Sequence, residues 1–435
     1  MKKTTNRKVI YTAAALCAAA IVSLLTFHTH GQDENDATAL IRRQPIHLND
    51  TLTNEMSSSV GKLKALDRRV ERYMSYWNLK GCQLAVMRND SLLWCKGYGL
   101  ADSSGTVEMT PGNIMRVASV SKLLTAAGIM KLQEEGLLSI KDTVFGKNAL
   151  LCDELYTDAI GTRMGDYSKI TVEHLLRHQA GFRRDPVFSA NDVRAQMHLD
   201  HCPRYEDYVK LVLSKQLRFC PGESQSYTNF GYMVLSEIIA KVSGEPYEEY
   251  IRKHILEPSG CYDMHIAGNF YEDRKVNEVR YFVHEGDGMT VSEYTGSGRI
   301  VPRCYGGNDI RLLSGAGAWV CSAAELARFV ASIDGRTEVP DILNSESIRQ
   351  MTEYFDENTY SLGWNDSNPE KGWNRTGTLS GTNAVIHYYP DGECWIFLSN
   401  SSTWKGPGHA RYTKELFDKC RDEFSCLLPE QNLFE

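Results

Sequence analysis

Residues 119–136 read SVSKLLTAAGIMKLQEEG, and this stretch decides the fold. Apolar residues recur on nearly all sides of a helical projection until Gly136, which predicts a buried helix ending at that glycine. Ser119 and Lys122 stand three residues apart at its start, so both lie on one face. A serine hydroxyl becomes a nucleophile when a neighbour takes its proton, and a desolvated lysine can be that base. A capping serine beside a solvent-seeking lysine is the alternative.

A second motif, Tyr227-Thr228-Asn229, precedes another helical stretch. A tyrosine near a lysine can relay protons. An asparagine amide both donates and accepts, which suits holding a substrate amide or orienting the lysine. Taken alone, the motif is equally compatible with an aromatic loop before a helix.

The third motif is Arg375-Thr376-Gly377-Thr378, just before a late hairpin. Glycine lets a substrate lie against the edge of a strand. The backbone N–H of Thr378 can complete an oxyanion hole with that of Ser119. The alternative for this motif is a surface turn.

The segments around these motifs alternate between helical and strand patterns. Strand patterns occur only towards the two ends of the chain, and helices fill the middle, which predicts one discontinuous α/β domain. The predicted strands are 83–87, 92–98, 383–389 and 394–400, and the predicted helices are 62–77, 119–135, 172–178, 232–242 and 410–427.

The N-terminus carries an export pattern. Four cations precede an apolar run at residues 9–27 that is long enough to span a bilayer, so residues 1–31 are either a cleaved signal peptide or a signal anchor. The chain beyond is expected to be exported, in the periplasm or cell envelope. The polar residues 32–60 predict a flexible tether, and residues 61–430 the folded catalytic domain.

Composition excludes several classes of protein. The 435 residues carry a net charge of −7 without a long basic run, which argues against binding to nucleic acid. A mean hydropathy of −0.37 excludes a polytopic membrane protein. Beyond Cys17 the cysteines are odd in number and contain no C-x-x-C pair, so at least one is expected to lack an intramolecular partner and most to be small core residues.

Metal binding is the weaker interpretation of two histidine groups. His174 and His178 have a helical i, i+4 spacing but no glutamate of an H-E-x-x-H motif between them. His198, His201 and Cys202 form a looser group, for which a surface loop is the better interpretation. We predict no metal and no organic cofactor.

Together, the three motifs in this order resemble the serine β-lactamase and penicillin-binding superfamily, in the branch related to class C β-lactamases. Residues 170–182 (ITVEHLLRHQAGF) and 360–364 (YSLGW) add to the resemblance, which covers about residues 66–400. It implies an α/β (α+β) fold in which an antiparallel sheet is flanked by N- and C-terminal helices. The α/β part would comprise residues 61–115 and 305–430, and an all-helical subdomain would be inserted at 116–304.

The resemblance also implies roles for the residues. Ser119 would be the acylated nucleophile, Lys122 its base partner, and Tyr227 the group that passes a proton to the leaving group. Asn229 would hold the substrate amide, while Arg375, Thr376, Gly377 and Thr378 would line the substrate. The family usually has Lys or His at the position of Arg375. Because a guanidinium fork suits a carboxylate, we expect a carboxylate near the scissile bond of the substrate.

The predicted function is that of an exported serine hydrolase acting through an acyl-enzyme on a small molecule or a peptidoglycan peptide. A β-lactamase, a D-Ala-D-Ala carboxypeptidase, an esterase and a D-aminopeptidase would share this apparatus. The alternative from another class is a sensor or scaffold that is acylated by penicillins or muropeptides without turnover. Residues 272–307 show few family cues and are predicted to form the specificity loop.

Overall fold

The computed structural model describes residues 46–57, 61–102, 106–292, 298–356 and 359–435. The predicted export segment at residues 1–31, with its apolar run at 9–27, lies outside these residues, as does the first part of the predicted tether. Among the helices in the described ranges, none is long and apolar enough to cross a membrane.

The strands are short in the middle of the chain and long at its two ends. They are β1 Gly81–Arg88, β2 Ser91–Asp102, β3 Val107–Glu108, β4 Met115–Arg116, β5 His265–Ile266, β6 Met289–Val291, β7 Ile300–Pro302, β8 Trp319–Cys321, β9 Asp366–Asn368, β10 Gly372–Leu379, β11 Thr382–Tyr388 and β12 Glu393–Ser399.

The α-helices fill the intervals. They are α1 Leu48–Thr51, α2 Lys64–Trp77, α3 Ser121–Glu134, α4 Glu154–Ile160, α5 Met164–Tyr167, α6 Val172–Leu176, α7 Ala190–Met197, α8 Tyr205–Leu213, α9 Asn229–Ser243, α10 Tyr247–Ile251, α11 Glu257–Ser259, α12 Ile310–Leu313, α13 Ala323–Ala331, α14 Ser345–Met351 and α15 His409–Phe424.

One antiparallel sheet of seven strands organises the fold, in the order β3-β2-β1-β12-β11-β10-β9. The first and last parts of the chain meet where β1 pairs with β12, in register from Cys82 opposite Ser399 to Arg88 opposite Glu393. The predicted antiparallel sheet is therefore confirmed.

Successive side chains of a strand point to opposite faces of the sheet, and helices cover both faces. On one face, β-strand residues such as Leu84, Val86 and Phe397 pack against α2 and α15. On the other face, Ala85, Met87 and Ile396 join a large core that contains α3 and α13. The N- and C-terminal helices thus lie together on one side, and the helix that carries Lys122 lies on the other.

Two domain predictions need correction. The compact unit begins at His47, not at residue 61, because the buried Leu48 and Leu52 of α1 belong to its core. The inserted region is not all-helical, since β5 pairs with β8 and β6 pairs with β7. These strands are two or three residues long, too short to show the two-residue alternation by which strands are recognised in a sequence.

Eleven cysteines lie in the described residues, and none of them forms a disulfide. Seven are buried, as predicted for small core residues: Cys82, Cys95, Cys261, Cys304, Cys321, Cys394 and Cys420.

Candidate active site

Ser119 lies in a tight turn held by the small sheet. β4 pairs with β8, and the Val117 N–H donates to the Trp319 carbonyl at 3.0 Å. A single 3-10 turn, Ala118–Val120, then leads into α3, and Ala118 adopts a φ of +48°. This left-handed conformation is uncommon for a residue with a side chain and is often found at functional sites. It leaves Ser119 partly exposed at the N-terminal end of a buried helix.

Lys122 is fully buried beneath Ser119 on the same face of α3. Its ammonium donates to Ser119 Oγ at 3.2 Å, to Asn229 Oδ1 at 2.8 Å and to the Ala316 carbonyl at 2.5 Å. Burial lowers the pKa of Lys122 to about 8, since the charged form loses hydration. Its neutral form is therefore accessible near physiological pH.

Tyr227 lies on the other side of Ser119, with its hydroxyl 2.8 Å from Ser119 Oγ. Burial acts to raise the pKa of Tyr227, but the nearby charges of Lys122 and Arg375 outweigh it and lower this pKa to about 8. The ring of His178 packs against that of Tyr227, with centroids 4.3 Å apart and planes tilted by 35°, and burial lowers the pKa of His178 well below its ordinary value. Tyr227 thus packs against a neutral imidazole, while the charges of Lys122 and Arg375 favour its phenolate form.

Asn229 links Lys122 to a carboxylate that the sequence analysis missed. Its Oδ1 accepts from Lys122, while its Nδ2 donates to Asp185 Oδ2 at 3.1 Å. The carboxylate of Asp185 also accepts from the backbone N–H groups of Asn229 at 2.8 Å and Phe230 at 2.9 Å, at the start of α9. Of the two roles open to Asn229, orienting the lysine is the one its contacts show.

Arg375 is buried beside Ser119 and contacts three groups of the site. The side chain is only 1% exposed. Its Nε donates to the Ser119 carbonyl at 2.8 Å, Nη1 to Asn365 Oδ1 at 2.8 Å, and Nη2 to the Tyr227 hydroxyl at 3.4 Å. All three nitrogens contact the protein, and Nη1 and Nη2 each have a second N–H group, so the binding of a substrate carboxylate by the fork stays a prediction.

Strand β10 borders the site with a free edge. The carbonyl of Asn374 accepts from Asn365 on the β9 side, at 2.9 Å. Backbone groups alternate sides along an antiparallel strand, so the N–H groups of Thr376 and Thr378 also point away from β11. The Thr378 N–H therefore lies on the side of β10 that does not pair with β11, and its part in an oxyanion hole stays a prediction.

Gly377 allows a close approach between two backbone segments. A Cβ added there would lie 2.1 Å from the Val117 carbonyl oxygen and 3.0 Å from the Ser119 nitrogen. The glycine therefore lets β10 approach the backbone of the turn that carries the serine, and its predicted contact with the substrate stays a prediction.

A cavity of about 410 Å³ opens above Ser119. Tyr227, Asn229, Thr376 and Thr378 line it together with Asn365, which the sequence analysis did not select although it follows the YSLGW stretch. The other lining residues are Phe188, Leu313, Ala316, Gly317, Tyr360, Leu379 and Pro407. No described residue of the predicted specificity loop at 272–307 lines this cavity, and residues 293–297 of that loop lie outside the described residues.

Within the described ranges, no cluster of three or more His, Cys, Asp or Glu side chains is arranged for a metal. His174 Nδ1 accepts from the Thr171 N–H at 3.2 Å, and His178 Nδ1 accepts from the Thr228 N–H at 3.3 Å. Both imidazoles therefore accept hydrogen bonds from nearby backbone N–H groups.

The sheet, the helices on its two faces and the Ser119, Lys122 and Tyr227 cluster define a serine hydrolase-like protein. The chain belongs to the Beta-lactamase family, whose family model matches residues 66–417 and whose members are serine hydrolases. The resemblance to the serine β-lactamase and penicillin-binding superfamily is thereby confirmed.

Three known proteins illustrate the similarity. The protein PbpX of Bacillus subtilis (strain 168) is 26% identical over 342 residues, which cover 78% of this chain and 75% of PbpX. The octameric penicillin-binding protein homologue from Pyrococcus abyssi is 25% identical, with a TM-score of 0.60 over 82% of this chain and 78% of that one. The D-amino acid amidase from Ochrobactrum anthropi SV3 shares the fold, with 17% identity and a TM-score of 0.62 over 82% of this chain and 98% of that one.

Proposed function

We propose that this protein is an exported serine hydrolase that cleaves an amide, lactam or ester through an acyl-enzyme on Ser119. The observation that carries the proposal is the position of the Ser119 hydroxyl, 3.2 Å from Lys122 Nζ and 2.8 Å from Tyr227 Oη. Both neighbours have a pKa of about 8, so each can exchange a proton near neutral pH.

Acylation begins when Ser119 Oγ attacks the carbonyl carbon of the substrate and its proton passes to the Lys122 and Tyr227 pair. The carbonyl oxygen becomes an oxyanion, which the N–H groups of Ser119 and Thr378 would stabilise. When the tetrahedral intermediate collapses, the bond to the leaving group breaks. Tyr227 gives the proton to the leaving nitrogen or oxygen, and an ester on Ser119 remains.

Deacylation uses the same groups in reverse. Tyr227 takes a proton from water, the hydroxide attacks the ester, and the proton returns to Ser119 Oγ as the acid product leaves. Tyr227 lines the cavity and is 37% exposed, so water can approach it. This supports turnover over the sensor or scaffold alternative.

The test is hydrolysis of a chromogenic ester, an amide and a cephalosporin by the full chain and by Ser119→Ala. We expect the variant to lose about a thousandfold or more in kcat/KM. Ser121→Ala is the matched control, because Ser121 lies two residues further along the chain and its Oγ accepts from the Trp319 N–H at 3.2 Å instead of facing the cavity. Full activity of Ser119→Ala would reject the site. A lasting adduct on Ser119 in intact-mass spectrometry, without product release, would favour the sensor.

Export is the second part of the proposal and is supported by the N-terminal cations followed by the apolar run at residues 9–27. Cell fractionation with carbonate extraction distinguishes a cleaved signal peptide from a signal anchor. A mature protein that begins near Gly31 and is released would indicate cleavage, retention in the membrane would indicate an anchor, and an uncleaved protein in the cytosol would contradict export.

A further inference from the structure

We propose that a surface beside the active site binds the glycan strand of peptidoglycan and so holds one of its stem peptides at Ser119. This surface, called the aromatic surface below, consists of Tyr76, Trp77, Trp404 and Tyr412. The proposal rests on the proposed function and narrows its substrate to a peptide that is attached to a polysaccharide.

Two rings of the aromatic surface are exposed. Tyr76 is 80% exposed and Trp404 is 67% exposed. Both contact Trp77, whose ring centroid lies 5.1 Å from that of Tyr76 and 6.2 Å from that of Trp404. Tyr412 of α15 contacts the same indole, with 4.8 Å between the centroids. Because Trp77 is buried at the end of α2, it holds the exposed rings at one place, and apolar surface gathered in this way marks a binding site.

The rings are surrounded by cations. Lys405 Nζ lies 4.0 Å from the centroid of the Trp404 ring, and the guanidinium carbon of Arg411 lies 4.7 Å from that of Tyr412. Four cations near the rings form no ion pair within the described residues: Arg72, Lys405, Arg411 and Lys419. The chain as a whole has a net charge of −7, so this positive region complements an anionic partner.

A groove of about 340 Å³ between α2 and α15 runs beside these rings. Arg72 and Lys419 line it with one carboxylate, that of Glu415, while the Arg69 guanidinium is paired with Glu423 at 2.8 Å. The other lining residues are Tyr73, Tyr76, Trp77, Tyr412 and Leu416. A partner that fits the groove therefore combines flat apolar faces for the rings with anionic groups for the cations.

One short segment joins the aromatic surface to the active-site cavity. Trp404 and Pro407 are three residues apart, and Pro407 lines the cavity above Ser119. Two backbone hydrogen bonds, of 3.0 and 3.1 Å, fold residues 403–408 into consecutive turns. Since three residues span at most about 11 Å, a ligand that leaves the cavity past Pro407 reaches Trp404 after a short distance.

Peptidoglycan has the chemistry that this arrangement requires. A pyranose ring has an apolar C–H face that packs on an aromatic ring, and polar groups that project from its edge. The stem peptides carry carboxylates, which pair with Lys and Arg, and each peptide supplies an amide bond for the cavity. A phospholipid surface fits less well, because helices that insert into it expose aliphatic side chains, and Leu416 of the groove is only 6% exposed.

The first test measures binding to purified peptidoglycan by co-sedimentation, in the full chain with Ser119→Ala so that the ligand is not hydrolysed. The double variant Tyr76→Ser with Trp404→Ala removes the two exposed rings. Val276→Ser is the control, because it removes an apolar side chain that is 86% exposed at another part of the surface. We expect Kd of the double variant to rise about tenfold or more and that of Val276→Ser to match the parent.

Two further ligands identify what the rings bind. Glycan strands from which an amidase has removed the stem peptides should retain ring-dependent binding, because the sugars contact the rings. Equal binding of the parent and a double variant with parental circular dichroism would overturn the proposal. Ring-dependent binding to vesicles of phosphatidylglycerol and phosphatidylcholine, without binding to glycan, would also overturn it and indicate a membrane surface.

The cations have a test of their own. Lys419→Glu reverses a charge in the groove, and Lys147→Glu makes the same change at an exposed residue outside it. We expect Lys419→Glu to weaken binding to intact peptidoglycan about threefold or more at low salt, and the difference to shrink as salt screens the charges. Equal binding by the two variants at low salt would contradict an anionic partner.

Hydrolysis separates this proposal from the proposed function. With Ser119 restored, we expect the double variant to lose at least about tenfold more kcat/KM on peptidoglycan than on a short soluble ester. If the ester is cleaved but the rings affect neither binding nor the hydrolysis of peptidoglycan, the proposed function stands and the aromatic surface is wrongly assigned. If no substrate is hydrolysed and Ser119 is never acylated, while binding to glycan depends on the rings, the proposed function fails and the assignment of the surface stands.

Discussion

Asp185 illustrates how one carboxylate can set the geometry of a nucleophile it does not touch. It receives three hydrogen bonds from Asn229 and Phe230, and Asn229 in turn receives one from Lys122. We predict that Asp185→Asn loosens Asn229 and lowers kcat by up to about 100-fold, as misplacement of a catalytic group does. The negative charge of Asp185 also raises the pKa of Lys122, against the larger effect of burial. The rising limb of the pH–rate profile should therefore move to lower pH.

Asp192→Asn is the control for this prediction, because it removes the same charge at an exposed residue of α7. A profile of Asp185→Asn that coincides with the wild type in position and height would show that Asp185 does not act through Lys122. Asp185→Glu, which keeps the charge, should retain the wild-type limb even where the longer side chain lowers kcat.

The separate residues of the site could be predicted, but their mutual contacts could not. Ser119, Lys122, Tyr227 and Asn229 stand out because their chemistry and spacing are unusual together. Asp185 and Asn365 follow no spacing rule and reach the site only through the course of loops. The sequence shows that Arg375 supplies a guanidinium, but it does not show which oxygens surround that group, here those of Ser119, Asn365 and Tyr227.

At the scale of elements, the first turn of α13 contains a buried carboxyl group whose protonation links the stability of the fold to pH. Glu325 is 1% exposed and accepts from the Asp263 N–H at 2.9 Å and from Asn49 Nδ2 at 3.0 Å. Burial raises the pKa of Glu325 from 4.5 to about 7. The folded state thus binds this proton more tightly than the unfolded state, so stability falls as pH rises between these values, by about 3 kcal/mol.

We predict that Glu325→Gln makes the free energy of unfolding less dependent on pH between pH 4.5 and 7. Urea unfolding at several pH values measures it. Glu154→Gln is the control, because Glu154 also lies in the first turn of a helix, α4, but is exposed. Parallel pH dependence in the wild type and Glu325→Gln would contradict the prediction.

The long elements could be predicted because each one repeats its pattern several times. The sequence predicted helices at 62–77 and 410–427 and strands at 83–87 and 394–400, and each overlaps an observed element. The small sheet of β4, β8 and β5 has two or three residues per strand and no pattern of its own. It matters because it holds the turn that carries Ser119.

At the scale of the whole molecule, residues that are far apart in the chain meet in one site. Ser119 and Arg375 lie 2.8 Å apart through a hydrogen bond, although 256 positions separate them in the chain. The order of motifs predicted this interleaving, because one active site needs all three. The sequence could not predict the residue at which the folded unit begins, because the short α1 resembles the polar segment around it.

The segment 47–57 should therefore contribute to global stability. Leu48 and Leu52 are buried in the main core, Asn54 Oδ1 accepts from the Gly97 N–H at 2.8 Å, and Ser57 Oγ accepts from the Cys95 N–H at 2.9 Å. Burial of two leucines alone is worth about 3 to 6 kcal/mol.

We predict that a chain beginning at Gly61 unfolds several degrees below one beginning at His47, in thermal melts followed by circular dichroism. Leu48→Ala and Leu52→Ala in the full chain should reproduce part of the loss. Identical melting temperatures for the two truncated chains would instead mean that the segment is a tether, as its polar composition suggests, and that the core is complete without it.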